Sequence, residues 1–336
     1  MKRLNSIFKM DKKNRHQILL WLIGGLILTF ATEIFLRGSV KEVVSWVKET
    51  PGVMLANYLL ILMLTSIFFL AKRKYMVYFI SFVVILGVSI TTFFLMKVRG
   101  TPLTFSDLYS IGEAMEIADK YINPTIIIIG IVCIAFLVVF CVFLYKLDGD
   151  TKRFKLINFV LVFVVSAVFF TTVRSQQAKN IMVYKRWDIP ASYKCNGLTY
   201  STVESCLKYI RTKPNDYSQS KIAKIKEKVD KAEANDNRKL NKNKPNVLFV
   251  QLEAFMDPET IKGVKYSEDP IPNFRKLTKL YTSGMANVPT TGGGTVRTEF
   301  EVMTGNNIDY LTPGEIPYST ILKSKYYNSV ATTLSS

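Results

Sequence analysis

The run TIIIIGIVCIAFLVVFCVFLY, residues 125–145, contains no charged side chain and decides what kind of fold this chain adopts. A helix rises about 1.5 Å per residue, so about 20 apolar residues cover the hydrocarbon of a bilayer. The same pattern recurs at 18–36 (ILLWLIGGLILTFATEIFL), 53–71 (VMLANYLLILMLTSIFFLA), 75–96 (YMVYFISFVVILGVSITTFFLM) and 155–173 (KLINFVLVFVVSAVFFTTV). Five such runs in succession argue against a soluble helix bundle and predict five spanning helices within residues 1–173. The first run has no small-residue cleavage pattern and is followed by further spans, so it reads as a retained anchor.

Basic residues set the expected orientation. Lys2, Arg3, Lys9, Lys12, Lys13 and Arg15 precede the first span, Lys72-Arg73-Lys74 follow the second, and Lys146, Lys152, Arg153 and Lys155 flank the connection before the last. These ends belong in the cytoplasm, whereas loops 37–52 and 97–124 balance their bases with acids and suit the outside. An odd number of spans then places everything after about residue 174 outside the cell. Much of the net charge of +18 therefore sits in cytoplasmic loops facing anionic lipid, and the lysine-rich stretch 221–244 lies outside as a solvated helix face. No nucleic-acid partner is expected. Of the four cysteines, Cys133 and Cys141 fall in the fourth span, and Cys195 and Cys206 lie on the oxidising side, where they are able to pair.

Residues 174–244 read as an extracytoplasmic helical connector. Within it, SKIAKIKEKVDKAEAND places Ile222, Ile225 and Val229 on one helical face with lysines opposite. A polar linker, 235–245, leads to NVLFVQLEAF, 246–255, whose apolar core VLFVQL reads as a buried strand ending at Glu253. Ligands of open α/β sheets gather at such strand ends. A lone Glu there is also consistent with a charge at a helix N-terminus. PIPNFRKLTKLYTSG, 270–284, then reads as a helix stopped by Gly284.

The stretch PTTGGGTVRTEFEVMTG, 289–305, follows. Three glycines let backbone amides approach an anion, and a helix beginning after Thr295 would add its N-terminal potential. Thr295 would stand at that mouth as a hydroxyl nucleophile needing a base or metal to activate it. The loop is not a Walker loop, because GxxxxGK[ST] is missing. A mobile linker is the alternative reading.

Five spans, NVLFVQLEAF, TGGGTVRTEF and, in the loop after the third span, RGTPLTFSDL (99–108) together resemble the lipoteichoic acid synthase family, membrane-anchored phosphoglycerol transferases of Gram-positive bacteria. The resemblance implies an α-helical membrane bundle of five transmembrane helices followed by an extracytoplasmic, incomplete α/β sulfatase-like domain over 245–336. It implies Glu253 as a metal ligand, Thr295 as nucleophile and metal ligand, and Mn²⁺ or another divalent metal as cofactor, with Glu299 and Phe300 fixing the register. Thr298 is a rival hydroxyl out of register with that pattern. The implied partners are the membrane, phosphatidylglycerol as donor, and lipoteichoic acid or a glycolipid as acceptor. The family's further ligands, an Asp and an Asp-His pair, are not matched here: the one histidine is His16, on the cytoplasmic side. A truncated product, inactive in this form, is the corresponding expectation. A phosphoethanolamine transferase, a sulfatase-like hydrolase and a non-catalytic membrane binding protein are the alternatives.

Overall fold

The structure is a computed structural model. It describes residues 12–110, 124–147, 156–185, 188–209, 216–234, 246–252, 255–288, 295–311, 315–320, 322 and 327–335. The chain divides into two compact units, one made of Met1–Tyr209 with Pro289–Ser336 and the other of Ile210–Val288.

In the first unit, α1 (Lys12–Arg37), α3 (Pro51–Thr65), α4 (Lys74–Val98), α5 (Pro124–Leu147) and α6 (Leu156–Ala178) carry the five apolar runs. A 3₁₀ turn, Ser66–Leu70, prolongs α3, and the segments long and apolar enough to cross a bilayer are Lys12–Arg37, Pro51–Leu70, Lys74–Val98, Ile128–Leu147 and Leu156–Ala178. The chain is a membrane protein of five candidate spans.

Close packing centres on α1. Gly24 and Gly25 have no room for side chains: a Cβ would meet the Tyr78 hydroxyl at 2.3 Å and Leu62 Cδ2 at 2.6 Å, respectively. Small residues of this kind let helix backbones approach where lipid offers no hydrophobic drive between helices. One turn away, the buried indole of Trp21 donates to the Leu62 carbonyl (3.1 Å) and the Thr65 hydroxyl (3.2 Å), and its ring meets Phe69 edge-on at 5.2 Å. Val165, Phe169 and Val173 of α6 join this core. The fourth span differs: none of its apolar window is buried, and it touches α4 through rings such as Phe79 and Phe140, 4.8 Å apart.

Three short helices, α2 (Val40–Glu49), α7 (Ile189–Asn196) and α8 (Leu198–Tyr209), gather where α1 ends and α6 leaves. Glu33, buried near the end of α1, pairs with Arg37 and accepts the Leu198 backbone N–H at 2.8 Å. Arg37 donates to the Lys194 carbonyl at 2.5 Å and lies 4.2 Å from the Trp46 ring centroid. Asn57 of α3 donates to the Asn196 carbonyl (2.8 Å) and accepts from Tyr200 N–H (2.9 Å). Between these contacts Gly197 takes φ +85°, and a Cβ there would strike the Asn57 side chain at 2.3 Å. Both α7 and α8 are thereby pinned to the spans by buried polar groups.

The second unit contains α9 (Gln219–Ala234) and α10 (Pro272–Leu280). Helix α9 covers the segment expected to be amphipathic, and its Ile222, Ile225 and Val229 are exposed. Arg275 of α10 gathers Asp257 (2.8 Å), Glu259 (2.8 Å) and Asp269 (3.0 Å), while Phe274 packs on Phe255 with centroids 4.7 Å apart.

The α/β expectation needs correction. Among the described residues no strand forms, and no sulfatase-like sheet is present. Val247, Leu248 and Val250, expected inside a sheet, are 52%, 86% and 67% exposed. A strand exists only through a hydrogen-bonded neighbour about 4.8 Å away, and none lies beside this segment among the described residues. Its apolar composition records a tendency that pairing has not realised. Helix α10 also stops at Leu280, short of the expected Gly284.

Candidate functional site

Helix α11 (Val296–Thr304) carries the hydroxyl singled out by the sequence. Thr295 occupies its N-cap position in a helical conformation (φ −52°, ψ −24°), is exposed, and does not cap the helix with its side chain. Phe300 is buried and anchors the helix, with its ring 6.2 Å from that of Tyr327. Gly305 ends it in the left-handed region at φ +68°, donating its N–H to the Glu301 carbonyl at 2.8 Å, as expected of a C-terminal glycine.

Glu299, one turn after Thr295, accepts the Tyr318 hydroxyl at 2.8 Å. Burial, reinforced by this carboxylate, pushes the Tyr318 phenol up to about 12. Glu301 accepts the Ile308 N–H at 2.8 Å. Glu315 is fully buried; its carboxylate accepts the Thr320 hydroxyl at 2.6 Å and its carbonyl accepts Arg297 Nε at 3.2 Å. Glu253 and the glycine loop 289–294 lie outside the described residues.

The loop after the third span is built around one ion pair. Arg99, which ends α4, grips Asp107 with both terminal nitrogens at 2.7 Å. Asp107 also accepts the Thr104 backbone N–H (2.7 Å) and hydroxyl (3.0 Å), so RGTPLTFSD closes into a turn around the carboxylate. The Tyr193 hydroxyl donates to the Leu103 carbonyl (2.9 Å), and Phe105 N–H to the Ser205 hydroxyl (3.2 Å), seating this turn on α7 and α8. Burial raises the Tyr193 phenol well above its ordinary value.

Arg297 lies within electrostatic reach of that turn. Burial lowers its guanidinium below the ordinary arginine value; Arg99 acts in the same direction, while Tyr184, Asp107 and Glu315 oppose it. Arg297, within TGGGTVRTEF, therefore feels the charges of Arg99 and Asp107 in RGTPLTFSDL. Their residue types gave no signal of this proximity, since the partners are far apart in the chain. Glu33 stands within an apolar run, where a charge requires a partner, and folding supplies Arg37 and the Leu198 N–H.

Among the described residues no three His, Cys, Asp or Glu side chains gather in a way that would hold a metal ion. Cys195 and Cys206 are free thiols; Cys195 Sγ donates to the Ile181 carbonyl at 3.1 Å, and burial pushes the Cys206 thiol up.

No family model matches the chain. Over 138 residues, 41% of this chain, it is 29% identical to the "Putative cyclic beta-1,2-glucan modification protein" of Rhizobium meliloti (strain 1021), of which the match covers 20%. The match therefore covers about a fifth of the length of that curated relative. No solved structure matches.

Proposed function

We propose that this chain carries the anchor and the nucleophile of a membrane phosphoglycerol transferase of the lipoteichoic acid synthase type. The Thr295 hydroxyl attacks the phosphorus of phosphatidylglycerol. An Oγ–P bond forms, the bond to the diacylglycerol oxygen breaks, and the hydroxyl proton leaves with diacylglycerol. An acceptor hydroxyl then attacks the glycerophosphoryl-threonine, the Oγ–P bond breaks, and the threonine is regenerated. Each step conserves a single phosphoester linkage on the transferred group, so neither needs an external energy source.

The observation that supports this reading is the position of α11. Its second residue, Arg297, is in electrostatic reach of Arg99, the residue that ends the third span. A nucleophile at that helix would work where lipid headgroups lie. The relative's name, a glucan modification protein, favours a sugar hydroxyl as acceptor. The proposed cofactor is Mn²⁺ or another divalent metal with Glu253 and Thr295 as ligands, as the resemblance implies. The described residues do not complete such a site.

The full chain, reconstituted in vesicles containing headgroup-labelled phosphatidylglycerol, tests the proposal. Label trapped on the Thr295 peptide, with diacylglycerol released, is the expected result, and Thr295→Ala removes both. Diacylglycerol release that survives Thr295→Ala refutes the reading.

A further inference from the structure

Nothing in the transferase chemistry uses helix α9. Its 16 residues put it near the length at which a helix in water is marginal without packing. Its apolar side chains are nevertheless bare: Ile222, Ile225 and Val229 are 45%, 54% and 58% exposed. Spaced i, i+3 and i+7, the three fall in one stripe along the helix. At about 100° per residue, Lys221 and Lys228 border one edge of that stripe, Lys226 borders the other, and Glu227 stands on the opposite face.

An apolar stripe framed by lysines suits a bilayer interface, where long lysine stems reach from the acyl level up to the headgroups. The charges are distributed for that role. Lys231 takes up Glu227 at 2.7 Å on the far face, and Lys221 pairs with Asp216. Lys226 and Lys228 have no carboxylate partner among the described residues. A protein covering the stripe would need acids along both flanks, whereas anionic phospholipid presents negative charge across its whole surface. The connector is also short. Residues 210–218 separate α8 from α9 and extend at most about 35 Å, and α8 is itself held to the spans through Tyr200 and Asn57.

We propose that α9 lies along the surface of the membrane that the chain spans. Ile222, Ile225 and Val229 rest against the acyl boundary, and Lys226 and Lys228 meet the phosphates of anionic lipid. Docking needs no reaction at Thr295, so it stands or falls separately from the transferase proposal.

The test is hydrogen–deuterium exchange of amides 219–234 in the full chain, embedded in nanodiscs of phosphatidylcholine with or without phosphatidylserine. Phosphatidylserine is anionic but is not the proposed donor. The wild type is expected to exchange about tenfold more slowly in the anionic discs, the size of one to two lysine–surface contacts. Each lysine contributes about fivefold in affinity, so K226Q/K228Q loses about 25-fold. That variant keeps helix propensity and exchanges in anionic discs as the wild type does in neutral ones. E227Q, on the opposite face, keeps the protection. Equal exchange of the wild type in the two discs overturns the proposal, because protein rather than lipid would then cover the stripe, or nothing would. Protection that survives K226Q/K228Q, or that is lost in E227Q, overturns it as well.

Discussion

Replacing Glu33 by alanine removes the centre of the junction that ties α7 and α8 to the first span. Its carboxylate is 1% exposed, pairs with Arg37, whose side chain is 4% exposed, and accepts the Leu198 N–H at 2.8 Å. Deleting one member of a buried pair leaves the other charge without compensation and costs about 3–5 kcal/mol. The orphaned Leu198 N–H adds roughly 1–3 kcal/mol unless water reaches it. The guanidinium keeps the Lys194 carbonyl at 2.5 Å and the Trp46 ring at 4.2 Å, which places the expected loss near the lower end, about 3 kcal/mol. Unfolding of the full chain by SDS in mixed micelles, followed by tryptophan fluorescence, measures this directly, since Trp46 lies against Arg37. The double variant Glu33→Ala/Arg37→Ala is expected to be less destabilised than the sum of its single variants, with a coupling above about 1 kcal/mol. Additive single variants, or a Glu33→Ala loss below about 1 kcal/mol, would refute the buried-pair argument.

Other perturbations probe other parts of the chain. Gly25→Leu forces a side chain into the space held by Leu62, whose Cδ2 lies 2.6 Å from where a Cβ would be, and is expected to cost about 1–3 kcal/mol by the same SDS titration. Phe300→Ala empties the anchor of α11, a site 1% exposed, with a local loss of about 3–5 kcal/mol; faster proteolysis within 295–311, with the spans intact, is the expected signature. In the second unit, the Ile271 N–H, then Arg275, hold the Asp269 carboxyl below its ordinary value. The sign follows: a depressed carboxylate stabilises above its unfolded pKa of about 3.9 and loses that contribution as pH falls through the lower folded value. The Arg275 Nε resonance should therefore stay unchanged from neutrality down to about pH 4 and shift only below it.

Sequence and structure agree most where one physical variable dominates. Crossing a bilayer demands length and apolarity, and both are visible in a run such as 125–145 without knowing any neighbour. The left-handed Gly305 that ends α11 is a feature of the same kind, because only backbone conformation matters there. Partnered features were harder. VLFVQL has the composition of a buried strand, yet strand formation depends on a second segment and none pairs with it among the described residues. Gly24 and Gly25 are plain in the sequence, but that they accommodate Tyr78 and Leu62 follows from helix packing alone. The candidate site shows the same division. Thr295 was recognisable from its glycine-rich approach, whereas the hydrogen bonds of Arg297 to the Glu315 carbonyl and of Tyr318 to Glu299 arise only on folding.

The bare fourth span has an evolutionary corollary. With none of its apolar window enclosed by protein, most positions between Ile128 and Leu147 answer to lipid rather than to a fitted neighbour. Exchanges among leucine, isoleucine, valine and phenylalanine should accumulate there freely, apart from the stripe around Phe140 that meets Phe79. The helix would then drift in sequence while conserving its length, keeping a record of the thickness of the bilayer it inhabits.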